Sequence, residues 1–410
     1  MPETGGGRAD ARAPWVIVSP GFHRHGGMEK ANLALAEHLL ERGTPVHLVG
    51  HQVDAELAAR PGARAHVVTR PRAALLPGDR AIDRRGRAVA REAVAAHPGA
   101  RVVVNGGNCG WRDVNWVHYV HHAWTPADAG APLPLRLRGR LLAAAARRDE
   151  RERIPGARLV LANSELTRRH LLERLGVEPA RVRTAYLGAE AGWGPPSAEE
   201  RAAARAWLGV PEGRPLVVFV GALGHDARKG FDTLLAAWRR LCDRPEWDGL
   251  LVAAGGGRGL GRWEAEVARL GLGERVRMLG FTRRVAELLA AADLLASPAR
   301  YEPYGLNVQE ALCRGVPAVV SARAGIAERY PAELAALVLP DPDDAAELAE
   351  RLLRWRGEMD AWRERVRPLG ERLRAHGWRE MAREIVELVE SGAPTANEPS
   401  AAPVAATEDL

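Results

Sequence analysis

The feature that most constrains this chain is an alternation of short apolar runs with glycine-bearing turns and amphipathic stretches, sustained over most of its length. Trp15-Val16-Ile17-Val18-Ser19 has the character of a buried strand. A glycine-rich turn follows over 21–27. A helix fits 28–42, with Leu33, Ala36, Leu39 and Leu40 on one face, and 46–50 returns as a strand. Strand–turn–helix–strand is the opening of a parallel α/β sheet, because two parallel strands need a crossover long enough to be helical. Further strands are predicted over 65–68, 101–105, 115–120, 159–162 and 182–186, with helices over 82–96, 135–153 and 165–175.

The alternation breaks over 188–197, which is rich in Gly and Pro and has no period. It then restarts, with strands over 216–220, 250–254, 276–279, 294–297 and 318–321. Helices fit 232–241, 263–270, 284–291, 306–314 and 345–355. A chain of 410 residues with 46% apolar content supports two cores. The expected division is an N-terminal Rossmann-like domain over 1–188, a second over 189–375, a crossover helix over 376–391 and a disordered tail over 392–410. Two such α/β domains place a ligand in the cleft where their strand ends face each other.

Composition excludes several classes. The three cysteines are scattered and form no C-x-x-C, so neither a disulfide framework nor a zinc site is indicated, and a reducing cytoplasm is expected. Residues 1–14 are polar and glycine-rich, without the apolar core of a secretory signal. No apolar run reaches the ~18–20 residues of a membrane span. The net charge of +6 is spread along the chain with no nucleic-acid-binding signature beside it. A peripheral membrane contact is not indicated either: the Arg-rich stretch 135–153 contains acidic residues and reads as a solvated helix. Only two of the 58 basic residues are lysines, Lys30 and Lys229. Where arginine has replaced lysine almost everywhere, a retained ammonium suggests a site too tight for a guanidinium. For Lys30, the bland alternative is a place on the helix surface.

The sharpest chemical motif is Tyr301-Glu302-Pro303-Tyr304-Gly305-Leu306-Asn307-Val308-Gln309-Glu310. Two carboxylates eight positions apart flank a Gly-centred turn and a helix N-terminus. Free N–H groups and the dipole there favour an anion, while carboxylates accept from hydroxyls. That combination suits a ligand bearing both phosphates and sugar hydroxyls. The segment resembles the E-x7-E motif of retaining glycosyltransferases of family 4, which have the GT-B fold, with Pro303 and Tyr304 in place of the usual Gly and Phe. The resemblance extends from Gly26 to about Gly325. It implies transfer of a sugar from a nucleoside-diphosphate sugar to an unidentified acceptor, without metal or other cofactor. It further implies that Glu310 binds ribose hydroxyls and that Glu302 faces the transferred sugar. Gly305, Leu306 and Tyr304 belong to the same donor-binding segment.

Val220 to Gly230 resembles the family's G-R-x-x-x-x-K-G loop. Lys229 matches its lysine, and Ala222 stands where the arginine is usual; Arg228 is the candidate replacement. Cations are needed there because charge develops on the leaving phosphate. Gly26-Gly27-Met28-Glu29 resembles the G-G-x-E turn, and Gly280-Phe281 the loop that receives the nucleobase. In Val117-His118-Tyr119-Val120-His121-His122-Ala123-Trp124, His121 matches by position a histidine found near the transferred sugar, with His118 and His122 as alternatives. Asn105, His118, His122 and Trp124 are acceptor-side candidates; aromatic faces stack on sugars but also fill ordinary cores. Two rival readings use the same architecture. A nucleotide-sugar epimerase is opposed by the E-x7-E spacing, and a non-catalytic sugar-nucleotide-binding subunit draws some support from Ala222.

Overall fold

The computed structural model describes residues 12–69, 80–126 and 131–391. The first half contains strands β1 (Trp15–Val18), β2 (Gly21–Phe22), β3 (Val46–Gly50), β4 (Gln52–Val53), β5 (Ala63–Val67), β6 (Arg101–Val104), β7 (Val114–Val117), β8 (Leu159–Ala162) and β9 (Val182–Thr184). Its helices are α1 (Gly27–Glu41), α2 (Ala55–Ala58), α3 (Arg80–Ala96), α4 (Leu133–Arg153) and α5 (Glu165–Leu175). The main sheet runs β5-β3-β1-β6-β7-β8-β9, with every pair parallel. Alternation along β1 explains why both faces must be covered. Trp15 and Ile17 enter one core with Leu35 and Leu39 of α1, while Val16 and Val18 enter another with Ile82 and Val89 of α3.

The second half repeats the plan with β10 (Leu216–Val220), β11 (Leu250–Ala254), β12 (Val276–Gly280), β13 (Leu294–Ser297), β14 (Ala318–Ser321) and β15 (Val338–Leu339). Its helices are α6 (Ala198–Leu208), α7 (Phe231–Cys242), α8 (Leu260–Arg269), α9 (Val285–Ala291), α10 (Leu306–Cys313), α11 (Ala345–Gly357), α12 (Met359–Arg374) and α13 (Trp378–Ser391). The strand order is β12-β11-β10-β13-β14-β15. In each sheet the order reverses beside the first strand, and the crevice at that reversal is where such sheets take ligands.

The last helices return to the first half. On α13, Arg379 pairs with Glu41 at 3.0 Å and Glu390 with Arg42 at 3.1 Å. Gly188 passes so close to α13 that a Cβ would lie 2.5 Å from the Trp378 backbone.

Helix α6 is absent from the sequence expectation, and its core face explains why. It lacks a wide apolar stripe, and Arg205, only 2% exposed, fills part of its buried side. Arg205 pairs with buried Asp293 at 3.3 Å, as does Arg201 at 2.5 Å. Asp293 also accepts from Leu216 N at 2.8 Å and pairs with Arg363 of α12. A buried carboxylate thus fastens α6 and α12 to the start of β10, with its charge paired as burial requires. The strand expected over 115–120 stops at Val117, freeing the following residues for a loop. The expected tail over 392–410 lies outside the described residues.

Candidate functional site

The E-x7-E segment leaves the end of β13 and enters α10. Gly305 sits at φ +110°, and a Cβ there would meet Ile326 Cγ2 at 2.7 Å, so glycine is required on two grounds. The loop after β14 straps the segment in place. Glu302 N donates to Arg323 O at 3.2 Å, Gly325 N to Glu302 O at 2.9 Å, and Ile326 N to Tyr304 O at 2.6 Å. Asn307 Nδ2 donates to Val220 O at 2.9 Å, fixing the start of α10 over the end of β10.

Lys229 pairs directly with Glu302. Arg228 Nη1 lies 4.0 Å from the same carboxylate and donates to Tyr301 O at 3.2 Å. Its guanidinium also stands over the Tyr119 ring at 5.6 Å. Arg228 therefore reaches the carboxylate beside Lys229, while Ala222 lines a neighbouring recess. Burial works to raise the Glu302 pKa, but Lys229 and Arg228 together outweigh it, and the carboxyl ends below its ordinary range.

Lys30 is not a surface residue. Its ammonium lies 2.7 Å from Glu190 and 3.4 Å from Glu310, with only 16% of the side chain exposed. Each of the chain's two lysines thus meets one of the two motif glutamates. The balance at Glu310 is opposite to that at Glu302. Burial raises Glu310, and Lys30, shared with Glu190, only partly offsets it, so Glu310 ends above its ordinary value. Burial opposes the charge on Lys30 too, but two carboxylates outweigh it and raise its pKa.

The first half supplies the other wall. Gly26 sits at φ +90°, where a Cβ would collide with the Glu29 carboxylate at 2.4 Å. A Cβ on Gly27 would touch Leu306 Cδ2 at 3.7 Å, so the starts of α1 and α10 face each other. The Tyr301 hydroxyl oxygen accepts from Val120 N at 3.1 Å, and the Tyr301 ring meets Tyr119 edge-on at 5.1 Å. Tyr119 in turn lies 4.7 Å from the His121 ring. His121, Tyr119, Arg228 and Glu302 therefore form one continuous wall built from both halves.

Glu150, only 1% exposed, organises the histidines. Its oxygens accept from His121 Nδ1 at 2.7 Å and His122 Nδ1 at 3.0 Å. The backbone N–H groups of both residues donate to it as well, at 2.7 and 3.3 Å. Burial tends to raise Glu150, but the bonds from His121 and His122 prevail and hold it below the usual range. An ionised carboxylate only accepts, so Nδ1 of each ring carries a proton. With Nδ1 committed to Glu150, the His121 ring offers its Nε2 edge from a side chain 46% exposed. Nothing in the local sequence pairs residue 150 with residue 121, and Asp149 and Glu152 on the same turns of an arginine-rich helix leave Glu150 undistinguished.

Several candidates take other places. His118 is not on the Glu150 cluster: it packs against Trp116 at 4.5 Å, and burial pushes its pKa down to about 3. Asn105 does not line the cleft. It is 2% exposed and its amide donates to Trp116 O at 3.2 Å, because the preceding strand sits inside the sheet. Tyr304 is buried rather than on the cleft wall, with its hydroxyl against Gln309 and Leu187 O, 3.4 Å away. Gln309 also donates to Gly188 O at 2.8 Å, so these two residues hold the connection between the halves. Trp124 encloses its indole N–H and receives Arg147 on its carbonyl at 3.2 Å. Gly280 turns at φ +70°, and Phe281, 70% exposed, borders an open recess of about 390 Å3 with Val220, Gly221 and Gly255.

Two Rossmann-like domains meeting in a cleft of carboxylates and cations, with the last helix recrossing, define the GT-B architecture. Solved structures agree in fold. WaaG, a glycosyltransferase involved in lipopolysaccharide biosynthesis, superposes with a TM-score of 0.70 at 21% identity, covering 92% of this chain and 100% of that one. HepE from Anabaena, solved with UDP and glucose, gives 0.68 at 19% identity, with 92% and 100% coverage. Residues 25–191 match the family described as Glycosyltransferase Family 4, and residues 200–367 match Glycosyl transferases group 1.

A D-inositol 3-phosphate glycosyltransferase from Mycobacterium sp. (strain KMS) is 30% identical over 76% of this chain and 73% of its own length. The chain belongs to glycosyltransferase family 4. A relative with the same description from Nocardia farcinica is 32% identical over 58% of this chain, and the match spans about half of that relative, 53%.

Proposed function

We propose that this protein is a retaining glycosyltransferase that moves a hexose from a nucleoside-diphosphate sugar to an external acceptor without a resident cofactor. The observation that carries the reading is the convergence of Glu302, Lys229 and Arg228 with the Gly26–Gly27 turn and the start of α10. In this reading the base occupies the recess beside Gly280 and Phe281, and Glu310 accepts from the ribose hydroxyls. The diphosphate lies between the starts of α1 and α10, where Lys229 and Arg228 balance the charge that builds on it as the glycosidic bond breaks. Glu302 stands beside the sugar, and His121 contacts it from the first domain. The acceptor enters on the side of His121 and His122, and the leaving phosphate helps to remove its proton on the same face. Arg228 at the Glu302 carboxylate supplies the cation that Ala222 lacks, which favours the enzyme over a non-catalytic binding subunit.

A thermal-shift series with UDP, GDP, ADP and dTDP tests the donor half. Ligand at a hundredfold over its Kd adds about 2.7 kcal/mol to stability, so one nucleotide should raise the melting temperature clearly. Glu302→Gln should keep the fold and that shift while cutting turnover. A protein that no nucleotide stabilises, or a fully active Gln variant, overturns the proposal.

A further inference from the structure

Helix α4 presents an exposed face unlike any other among the described residues. Leu133, Leu137 and Leu141 are 63%, 52% and 70% exposed, and they are three of the five large apolar side chains so exposed among the described residues. Their i, i+4, i+8 spacing aligns them on one ridge. Arg138 and Arg140, also exposed, flank that ridge on opposite sides. From Leu133 to Arg148 the helix contains five arginines and no acidic residue. Arg136, Arg138 and Arg140 have no carboxylate partner among the described residues. The acidic residues that make the helix read as solvated all lie beyond this face, where they are engaged: Glu150 on the histidines, Asp149 with Arg153 and Glu152 with Arg148.

The two ends of α4 thus do different work. Its C-terminal turns are fastened to the domain by Glu150 and by Arg153 Nη1, which donates to Gly107 O at 2.7 Å. Its N-terminal turns leave the leucine ridge in solvent. An ordinary surface helix turns its leucines inward and its arginines outward. Here apolar side chains occupy the centre of the exposed arc and cations its margins. A convex ridge one helix wide would need a matching groove on a protein partner, whereas a bilayer interface deforms around it. Apolar side chains then enter the acyl boundary while the guanidiniums stay at headgroup level.

We propose that α4 docks this protein on anionic phospholipid bilayers, with Leu133, Leu137 and Leu141 entering the interface and Arg136, Arg138 and Arg140 contacting headgroup phosphates. No helix among the described residues is long and apolar enough to cross a membrane, so the contact is peripheral. From Leu141 to Glu150 the rise is about 14 Å, so docking holds the His121 side of the cleft near the membrane surface.

Flotation of the full chain with vesicles tests this directly. The protein should float with phosphatidylglycerol–phosphatidylcholine vesicles, much less with pure phosphatidylcholine, and less as salt rises. Combined Leu133→Gln, Leu137→Gln and Leu141→Gln should lower partitioning at least about tenfold, as should Arg138→Glu with Arg140→Glu. Both variants alter exposed positions, and unchanged melting and nucleotide-induced shifts would verify their fold. Failure of the native chain to float, or undiminished binding by the Gln variant, overturns the proposal. So does a native dimer in sedimentation that the Gln variant abolishes without any vesicle binding, which would assign the ridge to a second copy. None of these readouts requires glycosyl transfer.

Discussion

Lys30→Met isolates the electrostatics of the cleft. The native ammonium sits 2.7 Å from Glu190 and 3.4 Å from Glu310, and the three side chains are 16%, 23% and 14% exposed. Methionine keeps most of the volume and removes the charge, leaving two carboxylates without their cation. Breaking a fully buried pair costs about 3–5 kcal/mol, and the partial exposure here reduces that to about 2–3 kcal/mol at neutral pH. At about 2–4 °C per kcal/mol for a domain of this size, the melting temperature should fall by about 4–12 °C.

The pH dependence has a definite sign. Glu310 is already raised by burial, against the pull of Lys30, and losing Lys30 raises it further. The folded variant then holds a proton that the unfolded chain releases near its ordinary pKa of about 4.3. Stability therefore falls as pH rises from that value through the folded pKa, and the deficit is larger at about pH 8 than at about pH 5. Native Lys30 gives a slope of the same sign, at higher pH. Its raised pKa gives stability that is present below the ordinary lysine value and lost as pH climbs through the folded one. Circular-dichroism melts of both proteins at the two pH values read the difference. Adding Glu310→Gln should return at least about 1 kcal/mol, because it removes the unpaired charge. An equal deficit at both pH values, or no recovery in the double variant, would refute the argument.

Glu150→Gln should fold, because the buried carboxamide still accepts, but it no longer fixes both imidazoles through one anion. Turnover should fall about tenfold or more with the nucleotide-induced thermal shift retained; loss of nucleotide binding instead would remove Glu150 from the acceptor side. Gly325→Val attacks the strap over Glu302. A Cβ at 325 would lie 2.2 Å from Pro303 O and 2.7 Å from Ser164, so the variant should lose about 1–3 kcal/mol on unfolding and lose nucleotide affinity with it. Native affinity in that variant would show that the strap does not position the motif.

The strands were legible because parallel strands buried on both faces leave uninterrupted apolar runs between turn residues. Six sequence ranges coincide with the observed strands β3, β8, β10, β11, β13 and β14. Helix α6 left no such trace, since its core contact includes the Arg205 guanidinium paired with Asp293. At the site, spacing along the chain identified the motif but not its counter-charges. Glu310 and Lys30 are 280 positions apart, and only folding shows that the second lysine belongs to the cleft. The scarcity of lysine was the available clue. For Lys30 a helix surface explains a lone cation equally well until its partners are known.

The opposite titration of the two motif glutamates gives the spacing a chemical sense. Glu302 has two cations within reach, whereas Glu310 shares one ammonium with Glu190. The first is therefore a committed anion, and the second has its ionisation held back by burial. In the proposed reaction positive charge grows on the transferred sugar as the phosphate leaves. A fixed carboxylate beside it stabilises the transition state more than the ground state, which is the condition for raising turnover. Recognition of ribose hydroxyls needs a hydrogen-bonding partner but no such standing field. A diphosphate arriving between α1 and α10 also competes with Glu302 for Lys229 and Arg228. That competition weakens the ion pairs that depress Glu302, so nucleotide binding and the Glu302 pKa are linked. The linkage predicts that the pH at which Glu302 protonates rises when a nucleoside diphosphate binds. Binding should accordingly be accompanied by proton uptake near that pH, measurable by calorimetry in buffers of different ionisation enthalpy and abolished in Glu302→Gln. Binding heats that do not depend on buffer in the native protein would mean the cations keep their hold on Glu302, and the diphosphate would have to be neutralised elsewhere.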